Sequence, residues 1–138
     1  MAALTLKLLD GTRIDRIDDV TSIVAADATG QFGLQPGHAE FVTVLEPGLF
    51  RYRTASEPAW VFGACVGGLL SCVPAAGRTD VCIVSGRILH GGEPEVLQSR
   101  LDEMLRREGS LRVSTRESEV RLDLALYKRL QLLTQARP

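Results

Sequence analysis

The sequence has few of the side chains that most metal and redox sites require. Its 138 residues include three cysteines and two histidines. No two cysteines form a C-x-x-C pair, and neither histidine stands beside a cysteine. Because a structural zinc ion needs about four such ligands at suitable spacing, we predict no metal site. Cys65, Cys72 and Cys82 all lie in apolar stretches, so we predict that they are buried, reduced thiols.

The chain also lacks a strong excess of charge of either sign. Its formal net charge is -1 and its pI is about 6.1. This balance gives the whole chain no attraction to nucleic acid or to an anionic membrane surface, so we predict no nucleic-acid partner. The N-terminus has no charged segment followed by a long apolar core, and we therefore expect no signal peptide.

The longest uncharged stretch runs from Pro58 to Gly77. A membrane-spanning helix needs about 20 mostly apolar residues, so the length alone permits a span. Glycine and proline interrupt the stretch, however, and these residues favour turns over continuous helix. We interpret Gly67-Gly68 as a turn between two strands, and we expect no membrane helix.

Catalytic motifs are absent as well. The sequence contains no G-x-x-x-x-G-K-S/T, no G-x-G-x-x-G and no G-x-S-x-G motif. His38 lies in a loop rich in turn residues, but no defined nucleophile or acid partner accompanies it. Asp15, Asp18 and Asp19 lack the regular ligand spacing of a calcium loop. We predict no catalytic residue and no cofactor, and an enzyme that uses His38 remains the third alternative.

Up to about residue 90, turn residues alternate with short runs that have strand chemistry. Leu4, Leu6 and Leu8 alternate with polar residues, as do Phe50 and Tyr52. A period of two places one face of a strand on a core and the other in water. Many short strands with frequent turns predict a β-sandwich or flattened barrel over residues 1–90. Two runs are predicted to be more completely buried, Val20 to Ala26 and Val81 to Val84. The predicted turns are Asp10-Gly11, Ala28-Thr29-Gly30, Pro36-Gly37, Pro47-Gly48, Ser56-Glu57-Pro58, Gly67-Gly68 and Ala76-Gly77.

After Gly92 the apolar period changes to that of a helix. Pro94 suits a first helical turn, and Gly109 suits a helix end. The apolar stripe of this helix consists of Leu97, Leu101, Met104 and Leu105. Ser114 and Glu117 have the spacing of a capping box and begin a second helix. The fold class is therefore α+β, with an antiparallel two-helix hairpin over residues 91–138 after the β domain.

The second predicted helix carries a basic group made of Arg121, Lys128 and Arg129. Such a group is typical of a solvated helix face. On composition alone the solvated face is the preferred interpretation. The alternative is docking on an acidic partner, which two apolar stripes on the same helix favour slightly.

One segment resembles a known family. It reads Gly30-Gln31-Phe32-Gly33-Leu34-Gln35-Pro36-Gly37-His38-Ala39 and is followed by Leu45-Glu46-Pro47-Gly48. It is similar to the G-x-F/L-G-I/L-x-P-x-H-A loop and x-P-G turn of the epsilon subunit of F-type ATP synthases. Val66-Gly67-Gly68-Leu69-Leu70 resembles the family's S-G-G-I/F-L/V segment. The last buried strand and the helical pair follow in the family's order, so the resemblance covers nearly the whole chain.

The resemblance implies a non-catalytic central-stalk (rotor) subunit that couples ion flow through the c-ring to ATP synthesis. The β domain would bind the gamma subunit and the c-ring, with Gly30–His38 nearest the ring. The C-terminal helices would contact the alpha/beta catalytic head through Arg121, Lys128 and Arg129 and restrain ATP hydrolysis. The subunit would be peripheral, on the cytoplasmic face of the cell membrane. Residues Arg112 to Arg116 resemble the sodium-linked N-type branch of these ATPases.

The chain departs from the family at three places. Arg-rich segments replace the Ala/Lys/Glu-rich helices of familiar members. Glu40 stands where the family usually has proline. The I/L-D-x-x-R-A segment, through which some members bind ATP, is matched at Leu101-Asp102, but its arginine is displaced by one and its alanine is missing. ATP binding is therefore not supported. The alternative from another class is a stand-alone small β-barrel that binds a metabolite, with the helices as a lid or dimerisation arm.

Overall fold

The computed structural model describes residues 3–107, which contain nine strands followed by a helix, α1, that includes residues 94–107. The predicted second helix, from Ser114 onward, lies outside the described residues. The strands are β1 Ala3–Leu9, β2 Ile14–Asp27, β3 Gly30–Leu34, β4 Phe41–Leu45, β5 Gly48–Thr54, β6 Val61–Cys65, β7 Gly68–Ala75, β8 Arg78–Val84 and β9 Ile88–His90.

The described strands form one sheet that folds back on itself. Its order is β1-β8-β7-β4-β2-β5-β6-β9, with β3 paired to β2 and a further pairing between β1 and β2. Of the described pairs, only β1 and β8 run parallel. The predicted N-terminal β-sandwich is confirmed as a sandwich-like sheet domain. Within residues 3–107 a single helix follows it.

The long strand β2 belongs to both halves of this sheet. Its first residues pair with β1, and its later residues pair with β5 and β3. The register of these pairings shifts between residues 17 and 22, where Asp19 has φ of 56°. An extra residue in one strand bends it and increases its twist, and aspartate tolerates positive φ better than most residues. This bulge lets one strand pass from one half of the sheet to the other.

The core collects side chains from β1 to β8. The predicted alternation in β1 is confirmed in part: Leu4, Leu6 and Leu8 are buried and Lys7 is exposed. Thr5, predicted on the water face, is buried as well. The core cluster consists of Leu4, Leu6, Leu8, Val20, Ile23, Ala25, Leu34, Leu45, Phe50, Tyr52, Cys65, Leu70, Cys72, Val81 and Ile83.

The prediction that the run from Val20 to Ala26 is more completely buried is confirmed only in part, since Val20, Ser22, Ile23 and Ala25 are buried. Thr21 is exposed, and Val24 and Ala26 are only half-buried. The reason is that an antiparallel sheet commonly packs one face on the core and leaves the other face in water. The run from Val81 to Val84 is buried except at Cys82, which is half-buried.

The seven predicted turns all coincide with connections between consecutive strands. The stretch from Pro58 to Gly77 accordingly forms β6 and β7, and Gly67, with φ of 94°, lies between them. In the part of the chain that the structure describes, no helix has the length and apolarity needed to cross a membrane.

Helix α1 packs on the outer face of β6. Leu97 and Leu101 are buried against Ala64, and Leu105 is partly buried beside them. The first predicted stripe is therefore confirmed at Leu97, Leu101 and Leu105, whereas Met104 is half-buried and lies outside this cluster. The same small cluster includes Leu89 of β9, so α1 and β9 share one set of contacts.

The three cysteines are unpaired. Cys65 and Cys72 are buried as predicted, whereas Cys82 is half-buried. Burial raises the pKa of the Cys82 thiol to about 11, against the opposing effect of Lys7. Burial also raises the pKa of Cys65 and of Cys72. All three thiols are therefore protonated and unreactive near neutral pH.

Candidate partner-binding surface

The loop predicted to bind a partner comprises β3 and its connection to β4. Gly30, Gln31 and Gly33 are exposed on β3, and the side chain of Leu34 lies in the core. The burial of Leu34 makes it an anchor that holds β3 in place. Phe32, Pro36 and His38 are half-buried.

The connection between β3 and β4 is held by defined hydrogen bonds. The N–H of Gly37 donates to Oγ1 of the buried Thr79 on β8, at 2.8 Å. The N–H of His38 donates to the carbonyl oxygen of Gln35 at 3.1 Å. Gly37 has φ of 87°, a conformation that glycine adopts without steric cost. The loop is therefore tied to the body of the sheet and presents a preformed surface.

Three rings form a small cluster at the end of this loop. The ring centroids of Phe32 and Phe41 are 5.3 Å apart, and those of His38 and Phe41 are 5.8 Å apart, both in edge-on geometry. His38 Nδ1 lies 2.7 Å from the carbonyl oxygen of Ala39. Because a carbonyl oxygen only accepts, Nδ1 carries the proton in this contact and Nε2 is left for another partner.

A carboxylate fixes the turn that leads into β3. Asp27 accepts hydrogen bonds from the N–H and hydroxyl of Thr29, at 2.8 and 2.5 Å. Its other oxygen accepts from the hydroxyl of Thr43 on β4, at 2.6 Å. The Thr29 and Thr43 hydroxyls, together with the Thr29 N–H, lower the pKa of Asp27. The carboxylate thereby connects the start of β3 to β4.

Gly33 has no internal steric reason to be glycine. Its φ is not positive, and a Cβ atom there would meet only the carbonyl oxygen of Ile23, at an ordinary 3.8 Å. Glycine inside a strand often marks a place where another molecule approaches the backbone closely. Gly33 is therefore free to serve contacts made outside the domain.

A second surface, which we did not predict, lies on β4. Val42 and Val44 are 42% and 66% exposed and pair with Ser71 and Leu69 of β7, both half-buried. The sequence signal was present, because the run from Phe41 to Leu45 has apolar residues on both faces. Strands with apolar residues on both faces are typically covered on both faces.

A third feature lies on the outer face of β5. The guanidinium carbons of Arg51 and Arg53 lie 4.8 and 4.6 Å from the ring centroid of Trp60. Arg51 also lines a shallow groove of about 130 Å³, together with Gln31 and Phe62. Small-molecule sites are typically about 300 to 1,000 Å³, so this groove is too small for the metabolite-binding alternative.

The remaining predicted site residues, Arg121, Lys128 and Arg129, lie outside the described residues. Among the residues that the structure does describe, no group of three or more His, Cys, Asp and Glu side chains is placed to hold a metal ion.

The comparisons with known proteins agree on one family. The family model for the ATP synthase delta/epsilon chain β-sandwich domain matches residues 3–88. ATP synthase epsilon chain 2 of Paraburkholderia xenovorans is 31% identical over 137 residues, which cover 97% of this chain and 94% of the relative. ATP synthase epsilon chain 2 of Cereibacter sphaeroides is 42% identical over 65 residues, which cover 47% of this chain and 44% of the relative.

Solved structures share the fold. A chain of the Euglena gracilis mitochondrial ATP synthase OSCP/F1/c-ring structure superposes with a TM-score of 0.56 at 20% identity, over 86% of this chain and 74% of that chain. A chain of the Tetrahymena thermophila mitochondrial ATP synthase central stalk/c-ring structure gives 0.50 at 18% identity, over 62% and 65%. The family model covers well over half of this sequence, and the Paraburkholderia match covers nearly all of it. The chain therefore belongs to the ATP synthase delta/epsilon chain family, as a non-catalytic, epsilon-type stalk subunit of the F-type synthase.

Proposed function

We propose that this subunit turns with the rotor and couples ion flow through the c-ring to ATP synthesis by way of the gamma subunit. The observation that carries the proposal is the combination of the family's β-sandwich domain with a rigid, exposed Gly30–His38 loop. A coupling element must transmit force without deforming. The hydrogen bond from Gly37 to Thr79 and the ring cluster around Phe41 supply that stiffness.

We assign the Gly30–His38 loop as the surface that contacts the c-ring. Residues 28–39 carry no charged side chain, so a partner can cover them without desolvating a charge. Gly30 and Gly33 present bare backbone on an exposed strand, and β3 pairs with β2 alone among the described strands. Such an arrangement suits close approach by a loop of another subunit.

We assign the exposed face of β4 as the surface that contacts the gamma subunit. Covering the side chains of Val42 and Val44 contributes on the order of 1 kcal/mol each. Half-buried Leu69 on β7 extends this apolar face. Because β4 follows the Gly30–His38 loop directly, one rigid unit contacts both partners at once.

The C-terminal segment is assigned a regulatory role on sequence grounds. Its basic residues Arg121, Lys128 and Arg129 suit an acidic surface on the alpha/beta head. In that position the segment restrains ATP hydrolysis. The whole subunit is then peripheral, on the cytoplasmic face of the membrane, because it is held there through the other subunits.

The loop assignment is tested by Gly33→Gln, which adds an uncharged side chain that the domain itself has room for. We expect the isolated variant to melt like the wild type, but reconstituted synthase that contains it should show weakened retention on the c-ring and reduced ATP-driven ion pumping. Gly11→Gln is the matched control, since Gly11 is also exposed, has no positive φ and lies outside the loop. Normal ion pumping by synthase that contains Gly33→Gln would show that the Gly30–His38 loop does not contact the c-ring.

A further inference from the structure

The outer face of β5 carries two arginines beside the only tryptophan of the chain. Phe50 and Tyr52 of β5 are buried in the core, so Arg51 and Arg53 lie together on the opposite face. Their guanidinium carbons lie 4.8 and 4.6 Å from the ring centroid of Trp60, within the reach of a cation–π contact, about 6 Å. One aromatic ring therefore holds two cations on the outer face of the sheet, and we call this group the Arg51–Trp60–Arg53 surface.

These two cations have no carboxylate partner in the part of the chain that the structure describes. The ion pairs found there involve other arginines. Residues two apart on a strand are separated by about 7 Å, so the two guanidinium charges repel each other. In addition, Nε of Arg51 is buried and has no hydrogen-bond acceptor. A carboxylate placed against Arg51 offsets the repulsion, and rotation of the side chain then lets Nε donate to it.

The surroundings of the two arginines are apolar and adjoin α1. Arg51 is paired with Val24 of β2 on one side and with Phe62 of β6 on the other, and both neighbours are half-buried. Phe62 and Leu49 also belong to the apolar cluster on which α1 packs. Helix α1 therefore covers one end of this face, and the partly exposed Val24 and Arg51 lie beside it.

The groove beside Arg51 adds an apolar recess to this surface. Its volume is about 130 Å³, and Val24, Leu49 and Phe62 contribute to its walls. Cavities of about 150 Å³ accept a molecule the size of benzene. The groove therefore has room for one side chain of a partner, next to the place where a carboxylate would meet the arginines.

The side-chain types at this surface are those that dominate protein interfaces. Tryptophan and arginine are the residues most enriched where binding energy is concentrated. A polyanion such as nucleic acid or an anionic membrane is disfavoured, because the exposed Glu57 lies in the same β5–β6 connection as Trp60 and the chain has a net charge of -1. The charge pattern is suited to a few carboxylates of another protein.

We propose that the Arg51–Trp60–Arg53 surface docks an acidic segment of another subunit of the synthase. Aspartate or glutamate carboxylates of that segment pair with the two arginines, and a neighbouring apolar side chain enters the groove. This contact is additional to those of the Gly30–His38 loop and β4. It requires that the chain is a subunit of the assembled enzyme, and it does not depend on the c-ring or gamma assignments.

Carbodiimide cross-linking of reconstituted synthase tests the contact. Arg53→Lys keeps the positive charge and provides a primary amine, which the reagent joins to a carboxylate that touches it. The carbodiimide takes up the water that is lost as the amide bond forms. We expect mass spectrometry to find a cross-link from position 53 to an aspartate or glutamate of another subunit. Arg87→Lys is the matched control, since Arg87 is an exposed arginine outside the surface and should give few such cross-links.

A double variant tests the contribution of the two charges to binding. Arg51→Gln with Arg53→Gln should rebind to synthase depleted of this subunit with about tenfold lower affinity than the wild type. Arg87→Gln with Arg100→Gln removes two exposed charges elsewhere and should bind like the wild type. Because Arg53→Lys is conservative, the cross-linking result stands even if the double variant folds poorly.

Three outcomes would overturn the proposal. The first is cross-linking at position 53 that is no more abundant than at position 87. The second is a cross-link that leads from position 53 to residues 108–138 of the same chain, which would make the occupant internal. The third is rebinding of the folded Arg51→Gln, Arg53→Gln variant with wild-type affinity. The Gly33→Gln test of the c-ring contact measures ion pumping, so the two proposals fail independently.

Discussion

At the scale of single residues, Gly68 is the described glycine at which an added Cβ atom would come closest to another atom. It begins β7 with φ of 151°, and a Cβ atom there would lie 2.1 Å from the carbonyl oxygen of Val84. The contact is with backbone of β8, so no side chain can move to relieve it. Glycine at this position is therefore required by the pairing of β7 with β8.

Gly68→Ala should destabilise the protein by about 2 to 4 kcal/mol, because it adds a backbone clash to an unfavourable φ. Urea unfolding followed by circular dichroism measures the loss. Gly77→Ala is the control, since Gly77 has φ of 72° but open space around it, and it should cost only about 1 kcal/mol. Equal losses of unfolding free energy at the two positions would mean that the backbone moves easily to relieve the clash between the added Cβ atom and the Val84 carbonyl oxygen.

At the scale of elements, α1 depends on a small cluster that is separate from the main core. Leu101 is 1% exposed and packs with Leu97 on Ala64. Replacing a buried leucine by alanine costs about 2 to 5 kcal/mol. Because the cluster is separate, we expect Leu101→Ala to release α1 while the β domain keeps its stability.

Hydrogen exchange measured by mass spectrometry distinguishes the two regions. Peptides from residues 94–107 should exchange faster in Leu101→Ala, whereas peptides from β7 and β8 should not change. Val96→Ala is the control on the same helix, because Val96 is 56% exposed and should have little effect. Faster exchange throughout the β domain would show that α1 and the sandwich unfold as one cooperative unit.

At the scale of the whole molecule, two truncated chains distinguish the effect of the C-terminal segment on ATP hydrolysis from its effect on the stability of the β domain. A chain that ends at residue 107 keeps α1 and its cluster. A chain that ends at residue 92 also uncovers the apolar face formed by Ala64 and its neighbours Phe62 and Leu89.

If residues 108–138 restrain the enzyme, ending the chain at residue 107 should raise ATP hydrolysis by reconstituted synthase about fivefold, the effect of ~1 kcal/mol of coupling. Assembly should be retained. Ending the chain at residue 92 should raise hydrolysis similarly and also lower the thermal stability of the subunit. Unchanged hydrolysis with the chain that ends at residue 107 would refute restraint by this segment.

Much of the architecture is contained in local sequence. Period-two alternation located strands such as β1 and β5, and glycine and proline pairs located the turns, because both signals arise within a few residues. The stripe of Leu97 and Leu101 located α1 for the same reason. The absence of metal-ligand spacing and of catalytic motifs, together with the Gly30–His38 motif, indicated a binding subunit before any contact was known.

Contacts between distant parts of the chain were decided only by the tertiary structure. Tyr52 and His90 are 38 residues apart, and Gly37 and Thr79 are 42 apart. Nothing local marks either pair, since each depends on the register and order of strands across the folded sheet. The exposure of Val42 and Val44 has the same origin, because a strand's sequence shows which faces are apolar but not which face the domain itself covers. The sequence determined where the strands, the helix and the loop lie, and the folded sheet determined which side chains meet.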